Sequence, residues 1–456
     1  MYPVPVIALV SLLLVSAAAE ALVLCAAKSK KTGEVKQGAV ARLRTSCKAN
    51  ETTLDPAELG IQGPEGPPGP EGPAGPAGPD VTGSTLRFVA ADGTPAQNGA
   101  ALVAALAAIT DASAAKPYTV HLAPGVYDVG SAGLDLVPFV DLEGSGRERT
   151  IVTGSGSTDA NPFDGGPFGT IRTADATTLR ALTVRNTGGA GTTALGVYVG
   201  AGRSRLQDVV VDVSGGSSTV GVAPLVPGSE DIFVDIVDSD LVVVNGAGMG
   251  QLRVLSRLAG LLVKDSRIVV SGGGSGVAGD MDAGGSYVLD AVSISVTGGG
   301  VGVSMTGDFE EGAQLVRNSV IAVTGGNSAT GLSGAGSGFR PVVENTRIQV
   351  ADASTANVGI ATNNGAPRVL ASRIVVSGAG ATALRIGSTA FAGTAEVIGS
   401  ILKATTVLES FQNNAGTTFR VGASQLVGTT LTTGTGSFVC VNSFSSAFTA
   451  LSSSCS

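Results

Sequence analysis

Basic residues are scarce in this 456-residue chain: 28 Lys and Arg stand against 36 Asp and Glu, a formal net charge of −8. No Lys/Arg stripe is present, so the electrostatic footprint of a nucleic-acid binder is missing. The repeated body likewise lacks a polybasic segment for anionic lipids. The single histidine, His121, lies far in sequence from all four cysteines. Neither Cys25/Cys47 nor Cys440/Cys455 has the C-x-x-C spacing of a redox or zinc site. No G-x-x-x-x-G-K-[ST] occurs to cradle a phosphate. Tryptophan is absent and aromatic residues make up only 4%, whereas glycine numbers 67 and hydrophobic residues reach 43%. That apolar content is ample for a large core.

Val4 to Ala18 is apolar, and Ala17-Ala18-Ala19 or Ala19-Glu20-Ala21 offers a small-x-small cleavage site. Residues 1–21 therefore read as a signal peptide. The preceding Met1-Tyr2-Pro3 carries no Lys or Arg, which leaves an uncleaved anchor as the competing reading. In that case Lys28, Lys30, Lys31 and Lys36 would hold the body inside the cell. The cysteines argue for export instead. They are even in number and closely spaced, Cys25 with Cys47 and Cys440 with Cys455, which suits disulfides in a secreted or cell-surface protein.

Residues 22–62 form a small Cys-bounded segment. Residues 63–80 then change character, with six uninterrupted Gly-X-Y triplets from Gly63-Pro64-Glu65 to Gly78-Pro79-Asp80. Glycine at every third position is what the crowded axis of a collagen triple helix demands. A stiff polyproline-type spacer on a monomer has the same composition. Six triplets make a very short triple helix, and Glu65 and Glu71 would repel their counterparts. Both points favour a monomer with a stiff spacer, and a homotrimer with a collagen-like stalk is the alternative.

The rest is governed by a period near 27 residues. An aliphatic residue recurs at Val184, Val211, Leu241, Ile268, Ile294, Ile321, Ile348, Ile374, Leu402 and Leu426, with another five residues before each. Such self-similarity marks a solenoid in which each repeat is one coil stacked on the next. Positions 0 and +2 alternate inward, as in Ile321/Val323 and Ile348/Val350. At −3 and −2 stand Asp or Asn and Ser or Thr, for example Asn318-Ser319 and Asn345-Thr346, which suit a tight corner. Ten coils at about 4.8 Å each would rise roughly 50 Å. The solenoid is expected over 84–428, followed by a disulfide-bounded tail at 429–456.

The solenoid opens with a strand at Leu86-Arg87-Phe88-Val89 and a helix starting at Asn98-Gly99, whose Leu102, Val103, Leu106 and Ile109 share one face. This helix would cover the open end of the stack. Ala91-Asp92-Gly93, the helix, Val120-His121-Leu122-Ala123-Pro124-Gly125-Val126-Tyr127, and Val140-Asp141-Leu142-Glu143-Gly144-Ser145-Gly146 follow in order. With later coils such as Ser319-Val320-Ile321-Ala322-Val323-Thr324-Gly325-Gly326, this arrangement resembles secreted bacterial right-handed parallel β-helix proteins of the pectate-lyase-like superfamily. The resemblance covers about residues 85–430 and implies an all-β fold with an N-terminal capping helix. It is specific for fold and not for activity, since many members are non-enzymatic.

Enzymes on this fold cut or modify acidic polysaccharides, through paired carboxylates, an Arg base with calcium, or an Asp/Asp/Arg set. The Gly-His-Gly of polygalacturonase-like members is missing, and His121 reads as structural, so no catalytic residue is assigned. Asp280, Asp282, Asp308, Glu310 and Glu311 form the best acidic group, because Asp282 and Asp308 fall at the same distance past their register residues. Together they would bind Ca2+ through oxygen ligands; a solvated loop is the competing reading, and no other cofactor is implied. Arg267, Arg347 and Arg373 recur at −1, facing outward, as candidates to line a groove for acidic glycans. Outward positions also carry Val210, Val242, Val269, Val320, Val375, Ile401 and Val427. This apolar stripe would need a cover, either the C-terminal tail with its Phe438, Phe444 and Phe448 or another subunit. The leading expectation is a secreted or surface-displayed non-catalytic structural or adhesive protein that binds a surface polysaccharide. A polysaccharide lyase or glycoside hydrolase is the alternative.

Overall fold

The computed structural model describes residues 23–55 and 84–456, apart from 159–168, 189–192, 201, 217, 225–227, 245–250, 253–255, 337–338, 388–392, 414–415 and 435. The apolar leader at 1–21 and the triplets at 63–80 lie outside the described residues. The chain divides into two compact units, Met1–Gly78 and Pro79–Ser456.

In the first unit, Val23–Ala27 is the central strand of a small antiparallel sheet, flanked by Arg42–Arg44 and Glu51–Thr53. A sheet this small has little to bury, and Cys25 and Cys47 close it with a disulfide. No helix among the described residues is long and apolar enough to cross a membrane.

The second unit is a parallel β-helix with a repeat of about 27 residues. Each regular coil contributes three strands, which stack into three parallel sheets. The first sheet holds the residues before the Asx-Ser corner, the second those after it, and the third the strands beyond the glycine-rich turn. The register read from the sequence is the register of the second sheet. Leu241, Ile268, Ile294, Ile321, Ile348, Ile374, Leu402 and Leu426 pair in succession. All are buried. The residues five before them, from Val263 through Leu289, Val316, Val343, Val369 and Val397 to Val421, form the matching inward column of the first sheet. Burying each Ile or Val contributes roughly 1.5–3 kcal/mol, so these two columns carry much of the stability.

The corner between those sheets turns through one left-handed residue in all ten coils. Position −3 has φ between 45° and 60°, at Ala181, Asp208, Asp238, Asp265, Ala291, Asn318, Asn345, Ala371, Gly399 and Ala423. Asp and Asn tolerate that conformation through local hydrogen bonds. The alanines lack this compensation, so the stacked neighbours impose the turn. The next position builds a hydroxyl ladder. Backbone N–H groups of Val209, Ser239, Val292, Ser319, Thr346, Ser372, Ser400 and Ser424 donate to the hydroxyl oxygen one coil further on, at 3.0–3.4 Å. Each of those hydroxyls in turn donates to the carbonyl two residues before it, as Ser372 does to Leu370 at 2.8 Å. Wherever a hydroxyl stands one coil on, the buried corner N–H is thereby satisfied; the Ser266 N–H meets Val292 instead.

The N-terminal helix starts earlier than expected, spanning Pro95–Ala107 with Thr94 as its N-cap and a reciprocal capping box to Gln97. Asn98 and Gly99 are not its start but a docking point. Asn98 donates to the Val126 carbonyl at 3.0 Å, and Gly99 sits so close that a β-carbon would meet the Asp128 carbonyl. Leu102, Leu106 and Ile109 are buried as expected, whereas Val103 points off that face and is exposed.

The tail does not run over the outer valine stripe. Ser437–Val441 pairs in parallel with Thr418–Gly422 and adds one more rung to the first sheet. Phe438 packs on Phe419 with ring centroids 5.2 Å apart, while Phe444 and Phe448 are exposed. Asn442 and Ser443 repeat the corner, with φ 49° at Asn442 and Ser443 accepting from the Ser424 N–H. The disulfide Cys440–Cys455 then folds the last residues back over the end of the stack. Of the stripe itself, Val320 is exposed and the other six residues are half-buried.

Candidate functional site

The outer face of the third sheet carries a cleft of about 300 Å³. Its geometry follows from the ladder. One outward row runs Ser304, Ser333, Ala361, Arg385, Glu409, and the neighbouring row runs Thr306, Ala335, Asn363, Gly387, Phe411. Three coils thus present small or short polar side chains, and the last two present the large ones, Arg385, Glu409 and Phe411. The result is a shelf closed at one end. Its described lining includes Thr306, Ser333, Ala335, Asn363, Arg385 and Phe411, and no carboxylate.

At the closed end two contacts fix the Arg385 guanidinium, and a third holds its carboxylate partner. Its Nε lies 2.6 Å from Glu409 Oε2. Thr382 Oγ1 donates to the same carboxylate oxygen at 3.3 Å. The Arg385 Cζ sits 5.4 Å from the centroid of the Phe411 ring. Glu409 is buried at 6% exposure, whereas Phe411 keeps 37% of its surface open. A buried carboxylate needs such a partner, and a guanidinium over a ring gains cation–π attraction. The outcome is a charge-neutral platform, apolar on the ring and rich in donors on the arginine.

The constant 27-residue period conceals this group. Arg385 stands 11 residues past Ile374, but Glu409 only 7 past Leu402. The pairing offset drops from 28 residues at Val375–Lys403 to 24 at Thr382–Thr406, so fixed offsets place the two in different rows. An Arg and a Phe facing outward on a chain with 4% aromatics were the available signal.

The acidic residues singled out from the sequence belong to the same sheet. Backbone register sets Asp280 beside Thr306, one end of the shelf, and Met281 beside Gly307. The ladder then breaks and resumes with Gly285 beside Phe309. Asp282 and Asp308 stand just past that break, and the side chains of Asp280, Asp282, Asp308, Glu310 and Glu311 lie outside the described residues. Among the described residues no group of three His, Cys, Asp or Glu side chains is placed to hold a metal ion.

The three arginines at −1 do not form one groove. Arg267 is separated from Arg347 by Ser293 and Val320 in the same row. Arg267 is bound to Asp240 at 3.0 Å, and Asp240 also meets Arg147 at 3.3 Å. Arg347 and Arg373 are neighbours, and Arg347 donates to Gln349 at 3.0 Å.

A second charged group lies at the N-terminal end of the first sheet. His121 stacks against Phe88, with ring centroids 5.7 Å apart, and its Nε2 is 3.1 Å from Ser145 Oγ. Arg180 binds Glu143 at 2.6 Å. Asp141 accepts the Thr178 N–H at 2.7 Å, and burial pushes its carboxyl above the ordinary range. Each carboxylate here supports a ladder step or an ion pair.

No family model and no curated protein sequence matches the chain. Among solved structures it is similar to the A-module of the Azotobacter vinelandii mannuronan C-5 epimerase AlgE6, at 17% identity over 76% of this chain and 95% of that one, with a TM-score of 0.38. It is similar to the pectin methylesterase PemA of Erwinia chrysanthemi at 13% identity over 62% and 90%, TM-score 0.32. The catalytic unit of a GH87 alpha-1,3-glucanase from Streptomyces thermodiastaticus is similar at 15% identity over 82% and 70%, TM-score 0.37. These likenesses concern the parallel β-helix and nothing finer.

Proposed function

We propose that this chain is a secreted or surface-displayed, non-catalytic adhesive protein that binds a polysaccharide along the third sheet. The observation that carries the reading is the Arg385–Phe411 platform closing a shelf of Ser, Ala, Thr and Asn side chains. An exposed ring offers a face to the C–H side of a sugar, and hydroxyl, amide and guanidinium groups answer sugar hydroxyls. Coils about 4.8 Å apart suit a polymer lying along the stack. Two disulfides fit an oxidising exterior.

Catalysis is the weaker reading. Glycoside hydrolysis needs two carboxyl groups flanking the bond; the described lining holds none, and Glu409 is neutralised by Arg385. One placement supports a lyase or hydrolase instead, the register of Asp280 beside Thr306 at the edge of the shelf. Affinity electrophoresis against neutral and acidic polysaccharides tests the binding reading. Retardation by at least one polymer, lost in Phe411→Ala, supports it, and no retardation by any refutes it. Cleavage of a polyuronate, with or without Ca2+, would replace it with the enzymatic reading.

A further inference from the structure

The two ends of the first sheet are complementary, and one of them is locked. Thr85–Val89 pairs only with Tyr118–Leu122 among the described residues, and Ser437–Val441 only with Thr418–Gly422. At the first end the Thr85 N–H donates to Pro117, and Val89 accepts from Ala123. Parallel ladders alternate, so the N–H and C=O of Leu86 and Phe88 face the open edge. At the other end the Ser437 N–H donates to Thr417, and Val441 accepts from Ala423. By the same alternation Cys440 faces outward from the stack.

A parallel partner for Cys440 must offer a C=O one residue before the paired position and an N–H one residue after it. With Arg87 opposite Cys440, Leu86 and Phe88 supply both. The columns already agree. Arg87 and Cys440 are the two ends of the inward column that runs through Val120 and Leu142 at one end and Val421 at the other. Leu86 and Val439 end one outward column and Phe88 and Val441 the next, and all four are exposed, at 66%, 43%, 66% and 59%. Exposed apolar side chains on an open strand edge invite another chain.

Two features oppose this. The Cys440 N–H is taken by the Ser453 carbonyl at 2.9 Å, in the segment that the Cys440–Cys455 disulfide holds down. Arg87 sets a charge at the inward position of the other edge, a known guard against strand pairing. We propose that the disulfide-closed tail is a removable block on head-to-tail assembly. The partner for the unblocked end is a second copy of this chain, laying Thr85–Val89 on Ser437–Val441. Such a contact is heterologous and open, so it propagates as a filament.

The test is light scattering and negative-stain microscopy on the full chain. The oxidised parent should keep one size, and Arg87→Val alone should leave that size unchanged. Cys440→Ala/Cys455→Ala with Arg87→Val should at least double the average mass and yield linear particles one solenoid wide. Adding Leu86→Lys/Phe88→Lys should restore the parent size. If the uncapped variant retains its strand signal and stays at the parent size, the proposal fails. It fails equally if the larger species persist after the Lys substitutions. Should the cysteine variant lose its strand signal, the reduced parent compared with the reduced Leu86→Lys/Phe88→Lys chain decides on the same two readouts.

Discussion

A β-carbon on Gly331 would stand 2.3 Å from Cγ2 of Ile348. The same approach recurs along the solenoid: Gly276 on Ile294, Gly302 on Ile321 and Gly359 on Ile374, each at 2.4 Å. The third sheet therefore lies on the isoleucine column of the second, with glycine as the only residue that fits between them. Gly331→Ala should destabilise by about 1–3 kcal/mol, the cost of overpacking a filled core. Ile348→Ala removes the Cγ2 and opens a cavity, costing about 2–5 kcal/mol alone. Because one relieves the other, the double variant should fall short of the sum by more than about 0.5 kcal/mol in chemical denaturation. Strict additivity would mean that the two residues do not touch.

The hydroxyl ladder yields a substitution expected to improve the protein. Val292 interrupts the column between Ser266 and Ser319. Val292→Thr keeps the shape and offers the Ser266 N–H the acceptor that Ser266 offers to Ser239. A typical intramolecular hydrogen bond gives a gain of about 0.5–1.5 kcal/mol. Ser372→Ala should do the reverse, leaving the Thr346 N–H without its 3.0 Å acceptor and costing about 1–3 kcal/mol. Thermal melting of both variants checks the pair, and a lower midpoint for Val292→Thr would count against the ladder as a source of stability.

These features show what was legible beforehand. Ile321 and Ile348 announced the coils because hydrophobic burial repeats with the ladder, and Asn318-Ser319 announced the corner because few residues suit a left-handed turn. Gly302 and Gly331 carried no signal of their own, since their reason is a side chain one sheet away. The Arg385–Glu409 pair was hidden because the coil after Ile374 is four residues shorter between its second and third sheets, where the pairing offset falls from 28 at Val375–Lys403 to 24 at Thr382–Thr406. The tail was misplaced because Ser443 continues the hydroxyl column where the aliphatic register has already stopped, at Ser445. Periodicity reads what every coil shares; a site is what one or two coils do differently.

Two carboxylates should pull stability in opposite directions with pH. Hydrogen bonds from Arg317 at 2.8 Å and Asn318 at 2.9 Å hold the Asp290 carboxyl below its usual range. A depressed folded value gives stability that is present above the unfolded pKa, near 4, and is lost as pH falls through the folded value. Asp290→Asn should therefore lose stability at neutral pH and flatten the acid side of the curve. Asp141 has the opposite sign, because burial raises its carboxyl more than Thr178 lowers it. Its ionised form costs stability above the folded value, so Asp141→Asn, which keeps an acceptor for Thr178, should hold or gain at neutral pH. Melting midpoints between about pH 3 and pH 7 distinguish the two.

Binding at the third sheet can be separated from folding by the choice of side chain. Arg385→Ala would strand Glu409, buried at 6% exposure, without its 2.6 Å partner. Removing one member of a buried pair costs about 3–5 kcal/mol, so lost binding in that variant would be uninformative. Phe411 is more than a third exposed, and its truncation leaves the ion pair intact. Phe411→Ala should therefore melt close to the parent and still weaken polysaccharide retention by tenfold or more, about 1.4 kcal/mol. Phe411→Tyr, which preserves the ring under the guanidinium, should restore it. Equal retention by the alanine and tyrosine variants would move the binding surface away from this platform.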